Sequence, residues 1–364
     1  MLLYGSFSFL QLLINSSLEI FGHNDFGLRF VMIFFHLMSI ILIYLISERY
    51  IKIQRNRLWL TLIYALLPGV VSSAVVVNSA GMIIFGLLLF IYLHEKVPQF
   101  FVNLLLLIFS LIDIGFAYLF LGLSIYYFKE KKLFLSMYVL SLYILTSSLY
   151  GFNIFGYPKG HFLDTIGVYS AVFTPIIFVY LFYTLYRRYL TQETSMVWYI
   201  ATTTLVISLL LSFRQRIAIE DFAPYLIIAL PLAGESFINS YRVRLKRFRI
   251  KYKIAFVASF VFLILNTLIV LFNKEIYFFI DNPKHHFAYE MHIAKELARE
   301  LKNMEIKCVN TDNKMQKRLQ FYEIDYCKDN SLKSYDIKDN KGSNVTISYK
   351  NIIVYRANVT NLNN

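Results

Sequence analysis

The chain has 364 residues, of which 57% are hydrophobic and 16% charged, with a formal net charge of +13. A soluble domain of this length is not so apolar. The excess Lys and Arg lies in short segments between apolar runs, which argues against a nucleic-acid partner. These runs are long and continuous rather than alternating, so they predict membrane helices rather than the strands of a barrel.

The apolar runs predict an all-α polytopic membrane bundle of about 10–11 transmembrane helices. Residues 1–21 are only moderately apolar, and they suit either an interfacial helix or a weak span. Clear spans follow at 27–48, 58–76, 80–94, 99–112, 115–128, 133–151, 165–187, 195–212, 223–241 and 254–273. Three of them, at 80–94, 99–112 and 115–128, are short for a full crossing and are therefore tilted, re-entrant or merged.

Basic residues mark every second connection between these spans. The basic set comprises Arg49, Lys52, Arg55, Arg57, Lys96, Lys129, Lys131, Lys132, Arg187, Arg188 and the run 242–253. Short loops rich in Lys and Arg face the cytoplasm. We therefore expect a multi-pass membrane protein with these loops in the cytoplasm and the remaining loops outside. The richness in Lys, Ile, Asn, Phe and Tyr suggests an AT-rich bacterial genome, and hence a bacterial inner membrane.

The tail from 274 to 364 is polar and predicts a second domain after a membrane domain at 1–273. Helical periodicity runs through 285–304. A short strand is expected at Ile306–Val309, a helix at Lys314–Tyr322 and strands within Ile347–Tyr355. A single span separates this tail from the basic run 242–253, so the pattern predicts a small extracytoplasmic α/β domain.

Both cysteines, Cys308 and Cys327, lie in that tail. A disulfide between them is possible because disulfides persist outside the cytoplasm. The alternative is two ordinary buried thiols. The pair His285–His286 has no Cys or acid at a metal-binding spacing, so we predict no metal site.

Three outward segments contain candidate functional residues. The segment 24–29 contains Asp25 and Arg29, the segment 151–165 contains Lys159, and the segment 213–222 contains Arg214 and Arg216. Guanidinium groups bind phosphate through a planar fork, and a lysine adds a point charge. Lys159, Arg214 and Arg216 are therefore candidates for binding a pyrophosphate or a phosphodiester. The alternative is that the arginines only anchor helix ends against neighbouring acids.

Four acids near the outer edge are candidates for a pocket or for proton transfer. Glu220 and Asp221 begin a span, where they either act in catalysis or only complement the helix dipole. Asp164 is a third catalytic candidate, and it is equally well placed to cap the span at 165. Asp113, in the most apolar setting of any acid here, marks either a pocket or a tight helical hairpin.

Three short phrases resemble GT-C glycosyltransferases that use polyprenyl-phosphate sugars, which include the protein O-mannosyltransferase-like and aminoarabinose-transferase-like families. The first phrase is Phe21-Gly22, Asp25-Phe26 and Leu28-Arg29-Phe30, and the second is Leu67-Pro68-Gly69-Val70. The third runs from Arg216 to Pro231 and pairs an outer arginine with a Pro-containing helix. A trailing extracytoplasmic domain is also similar.

The resemblance implies transfer of a sugar from a polyprenyl-phosphate carrier to a glycan, lipid or protein acceptor on the outer face, without a cofactor. An acid would act as general base, and Arg216, with Arg214 and Lys159, would hold the phosphate. The chain lacks the first span and acidic motif of these families, and Val77–Gly81 has no acid. Either the natural start lies upstream, or another acid serves, or the chain is a non-catalytic binding or assembly protein. A lipid or solute transporter is a further alternative.

Overall fold

The computed structural model describes residues 8–151, 160–278, 280, 282–286, 289–335, 344–350 and 352–361. The fold is mostly helical, with a small three-stranded sheet near the C-terminus. The chain divides into two compact units. The helical unit comprises residues 8–20 and Asp25–Thr267. The C-terminal unit comprises the described residues after Thr267, with Phe21–Asn24.

The described helices follow the apolar runs of the sequence. They are α1 (Phe9–Phe21), α2 (Asp25–Ser47), α3 (Gln54–Ala65), α4 (Pro68–Val75), α5 (Ala80–His94), α6 (Gln99–Ile112), α7 (Ala117–Lys129), α8 (Leu133–Tyr150), α9 (Phe162–Phe173), α10 (Pro175–Leu190), α11 (Met196–Ser212), α12 (Ile219–Ile227), α13 (Leu230–Val243) and α14 (Lys246–Leu271). Each predicted span falls on one of these helices or on a pair of them. By length and composition, α2, α8 and α14 are able to cross a membrane, and counting each bent pair as one span raises the number to six. The other apolar helices are shorter than 18 residues.

Three predicted spans are each broken into two helices. The pairs α3–α4, α9–α10 and α12–α13 bend by 58°, 106° and 41°. The second helix of each pair has a proline in its first turn, namely Pro68, Pro175 or Pro231. Proline has no amide hydrogen and its ring clashes with the preceding turn, so it starts a new helix instead of continuing the old one.

The core of the helical unit includes a close approach between α7 and α11. At Gly122, an added Cβ would lie only 2.6 Å from the Cα of Ile200. Small residues of this kind let two helix backbones pack together. Gly122 therefore fixes how near the two helices lie.

The C-terminal unit packs two helices and a sheet around its own apolar core. It contains α15 (Tyr289–Asn303), α16 (Asn313–Phe321), β1 (Asn330–Tyr335), β2 (Val345–Tyr349) and β3 (Ile352–Asn361). The strands are antiparallel in the order β1-β3-β2, and a disulfide joins Cys308 to Cys327. Strand β1 was not predicted. The strand expected at Ile306–Val309 is reduced to isolated bridges, Cys308 to Asp325 and Asn310 to Ser331.

Candidate functional site

Several turns of the helical unit meet at one end, which we call the acidic end. It comprises the turn at Asp113, the start of α9, the segment 213–218 and the start of α12. The ring of Phe162, the first residue of α9, stacks on Phe213 with centroids 5.0 Å apart. The start of α12 lies against the turn at Asp113, because the two elements share backbone and side-chain contacts.

Asp113 ends α6 and caps the following 3-10 turn, Ile114–Phe116. Its Oδ1 accepts a hydrogen bond of 2.7 Å from the amide of Gly115. Burial raises the pKa of Asp113, and the nearby charge of Glu220 raises it further, while the bond from Gly115 acts in the opposite direction. The turn therefore holds a carboxyl that binds a proton more readily than an exposed aspartate does.

Asp113, Glu220 and Asp221 form what we call the carboxylate cluster. The charge of Asp221 interacts with those of Asp113 and Glu220. Asp221 is half-buried and lies near Tyr118, whereas Glu220 is exposed. Carboxylates whose charges interact repel one another when all are ionised. The cluster is consequently a place where a proton can be accepted and held.

Tyr225 connects α12 to the Asp113 turn. Its buried hydroxyl donates to the carbonyl of Gly115 at 2.6 Å and accepts from the amide of Leu119 at 3.0 Å. Those two groups are four residues apart, which is the spacing of a normal helical hydrogen bond. The hydroxyl is thus inserted into the ladder at the start of α7. Sequence reasoning missed this residue because its partners lie far away in the chain.

The two predicted phosphate-binding arginines lie in the segment between α11 and α12. Arg214 and Arg216 are both exposed, and neither forms an ion pair within the part of the chain that the structure describes. Their anchoring to Glu220 or Asp221, the alternative considered above, is therefore not observed. Between them, Gln215 has a buried Oε1 that finds no hydrogen-bond partner among the described residues. Lys159 lies outside the described residues.

Asp164 is separate from the carboxylate cluster. It lies in the first turn of α9, is exposed, and pairs with His161 through Oδ2 and Nδ1 at 3.4 Å. The predicted capping role is wrong, because α9 begins at Phe162 and His161 occupies the N-cap position. The acid remains favourable there because it complements the helix dipole.

The described residues contain no group of three His, Cys, Asp or Glu side chains arranged to hold a metal ion. His286 is buried, and its Nε2 lies 2.7 Å from the carbonyl of Asn273.

No protein-family model, no curated protein and no solved structure matches this chain.

Proposed function

We propose that this chain is a multi-pass glycosyltransferase of a bacterial inner membrane. In this proposal, it moves a sugar from a polyprenyl-phosphate carrier to an acceptor on the outer face. The carboxylate cluster is the observation that carries the proposal, because it supplies a base at the same end of the helical unit as Arg214 and Arg216, which form no ion pair among the described residues. Membrane placement is supported by the apolar helices and bent pairs, which follow one another with short connections.

The arrangement of the connections supports one orientation. The turns at the acidic end, including Asp113 and the segment 213–218, are those without the basic clusters of the sequence. Basic connections contact one another elsewhere, as where Arg49 bonds to the carbonyl of Ile91 and pairs with Glu95 at 3.1 Å. By the positive-inside tendency, the acidic end then faces outward. The Cys308–Cys327 disulfide suits an outward C-terminal unit, because disulfides persist outside the reducing cytoplasm.

Sugar transfer requires two kinds of group at this end. An acceptor hydroxyl attacks the anomeric carbon, the bond from that carbon to the phosphate oxygen breaks, and the lipid phosphate leaves with the electron pair. The acceptor proton passes to a carboxylate, and Asp113 and Asp221 are the bases we propose for this step. Arg214 and Arg216 stabilise the negative charge on the departing phosphate through charge-assisted hydrogen bonds.

The arginine role is tested by carrier binding. Undecaprenyl phosphate is titrated into the purified full chain and bound lipid is counted by native mass spectrometry. We expect Arg214→Ala or Arg216→Ala to weaken binding about ten-fold or more, the usual value of a hydrogen bond to a charged group. Arg55→Ala is the matched control, since Arg55 is an exposed arginine in a predicted cytoplasmic loop. Equal binding by all three variants would reject the phosphate role.

The base role is tested by activity. Asp113→Asn and Asp221→Asn each keep the side-chain shape and remove the proton acceptor. In cells that carry the variant in place of the natural chain, we expect loss of a surface glycan at normal protein level. Glu130→Gln, an exposed acid beyond the opposite end of α7, should have no effect. Unchanged glycans in both aspartate variants, with carrier binding intact, would favour a non-catalytic binding protein.

A further inference from the structure

A polar cavity of about 460 Å³ lies in the helical unit, away from Arg214 and Arg216. Its lining includes Tyr50, Arg187, Arg188, Glu193, Glu235 and Asn239, with two further hydroxyl residues. These positions belong to the loop after α2, the end of α10, the connection between α10 and α11, and the middle of α13. The volume falls in the range of small-ligand sites in proteins.

The charged residues on the lining are balanced in number and differ in burial. Arg188 is nine-tenths buried and forms an ion pair with Glu235. The Nε of Arg188 is also buried and has no hydrogen-bond partner among the described residues. Arg187 and Glu193 are exposed at the mouth of the cavity. The Arg187 guanidinium donates to the Ser240 hydroxyl at 3.1 Å, and neither Arg187 nor Glu193 forms an ion pair among the described residues.

This pattern selects a ligand of both signs. A simple anion would gain from the two arginines but would meet the carboxylates of Glu193 and Glu235, and a simple cation would meet the reverse penalty. A molecule with a phosphate and an ammonium a few atoms apart satisfies both. Its phosphate accepts from guanidinium, and its ammonium donates to carboxylate.

The surroundings of the cavity indicate where such a molecule comes from. The last turns of α10 present Tyr186, Tyr189 and Leu190 outward, each more than half exposed. Exposed tyrosines and aliphatic side chains beside arginines are typical of the level where lipid headgroups meet acyl chains. A lipid whose headgroup enters the cavity can therefore lay its chains along α10.

We infer that the cavity binds the phosphoethanolamine group of a phospholipid. The phosphate contacts Arg187 and the ammonium contacts Glu193, above the Arg188–Glu235 pair. The inference uses the proposed membrane placement but is independent of sugar transfer, because none of its residues belongs to the acidic end.

The test counts lipids retained by the full chain in native mass spectrometry. Phosphatidylethanolamine, phosphatidylcholine and phosphatidylglycerol with the same acyl chains are compared. We expect retention of one phosphatidylethanolamine about ten-fold more tightly than the others, since choline has no N–H to donate and glycerol has no cation. Soluble O-phosphoethanolamine is added as a competitor. If it binds while the lipid shows no preference, the source is the free compound.

Arg187→Ala and Glu193→Gln are the diagnostic variants, because both side chains are exposed and their loss does not empty the core. Each should lower phosphatidylethanolamine binding about ten-fold without moving the unfolding midpoint. Arg55→Ala and Glu130→Gln serve as controls. Equal retention of the three lipids without competition, or wild-type binding by both variants, would overturn the inference. Arg214→Ala should leave this binding unchanged, so its outcome separates this site from the proposed transferase.

Discussion

Replacing Tyr225 with phenylalanine tests whether one hydroxyl holds the carboxylate cluster together. The ring stays in place, since Tyr225 is fully buried and the substitution leaves its surroundings unchanged. Its ring contacts that of Tyr118, which in turn packs on Phe222. Only the bonds to the Gly115 carbonyl and the Leu119 amide are lost.

The expected cost follows from the fate of those two backbone groups. A neutral hydrogen bond contributes about 0.5–1.5 kcal/mol net, and a buried group left unsatisfied costs about 1–3 kcal/mol. If both groups stayed unpaired, the loss would reach about 2–6 kcal/mol. Because they are four residues apart, they can bond to each other once the hydroxyl is gone. We therefore expect a loss below that range, about 1–2 kcal/mol.

That repair changes the site more than the stability. Closing the ladder moves the amide of Gly115, which donates to Asp113, and so shifts one carboxylate relative to Asp221. We expect Tyr225→Phe to lose the surface glycan almost as fully as Asp113→Asn, while SDS unfolding shows only the small loss of stability. Tyr138→Phe, which removes one partly buried hydrogen bond from the tyrosine hydroxyl to the carbonyl of Asn103, is the control. Full glycan synthesis by Tyr225→Phe would refute the reasoning.

Three further predictions concern the rest of the molecule. Gly122→Ala should destabilise the helical unit by about 1–3 kcal/mol through overpacking. Gly167→Ala, with nothing within 4 Å of its added methyl, should instead stabilise the unit by about 0.5–1 kcal/mol. SDS unfolding compares the two variants, and equal effects would contradict the close approach of α7 and α11. Cys308→Ser should cost the C-terminal unit about 3 kcal/mol, because the bridge closes a loop with a sequence separation of 19, and pulse proteolysis of the full chain measures this. Hydrogen bonds from Lys350 and Tyr349 lower the pKa of Glu275 from its usual 4.5. These bonds therefore stabilise the folded C-terminal unit fully above pH 4.5, and this stabilisation is lost as the pH falls through the lowered pKa. Glu275→Gln should therefore remove this acid-dependent part of the unfolding curve, and an unchanged curve would reject the assignment.

The helices of the helical unit could be predicted from the sequence, because apolar runs of this length rarely form anything other than helices. Their breaks could not be placed as well, although Pro68, Pro175 and Pro231 gave the signal. We treated 58–76, 165–187 and 223–241 as single spans. A proline tells that a helix is disturbed, but packing decides whether it kinks by 41° or turns by 106°.

The candidate site shows a different limit. Asp113, Glu220 and Asp221 were each visible as acids near a predicted outer edge, yet their convergence depends on how α12 packs against the turn after α6. No local pattern carries that information. Likewise β1, with the polar sequence NSLKSY, has little strand signal of its own and forms because β3 offers it a full ladder of backbone partners.

The bond of Tyr225 to Gly115 has a consequence for how the protein is made. Its two ends are 110 residues apart, so the turn at Asp113 leaves the ribosome long before its partner exists. Until α12 arrives, the Gly115 carbonyl and Leu119 amide have only each other, and α7 begins as a regular helix. The Tyr225 hydroxyl therefore enters between these two groups only late in biogenesis, after α12 has been made. A chain interrupted before α12 contains α6 and α7 but lacks the geometry of the carboxylate cluster.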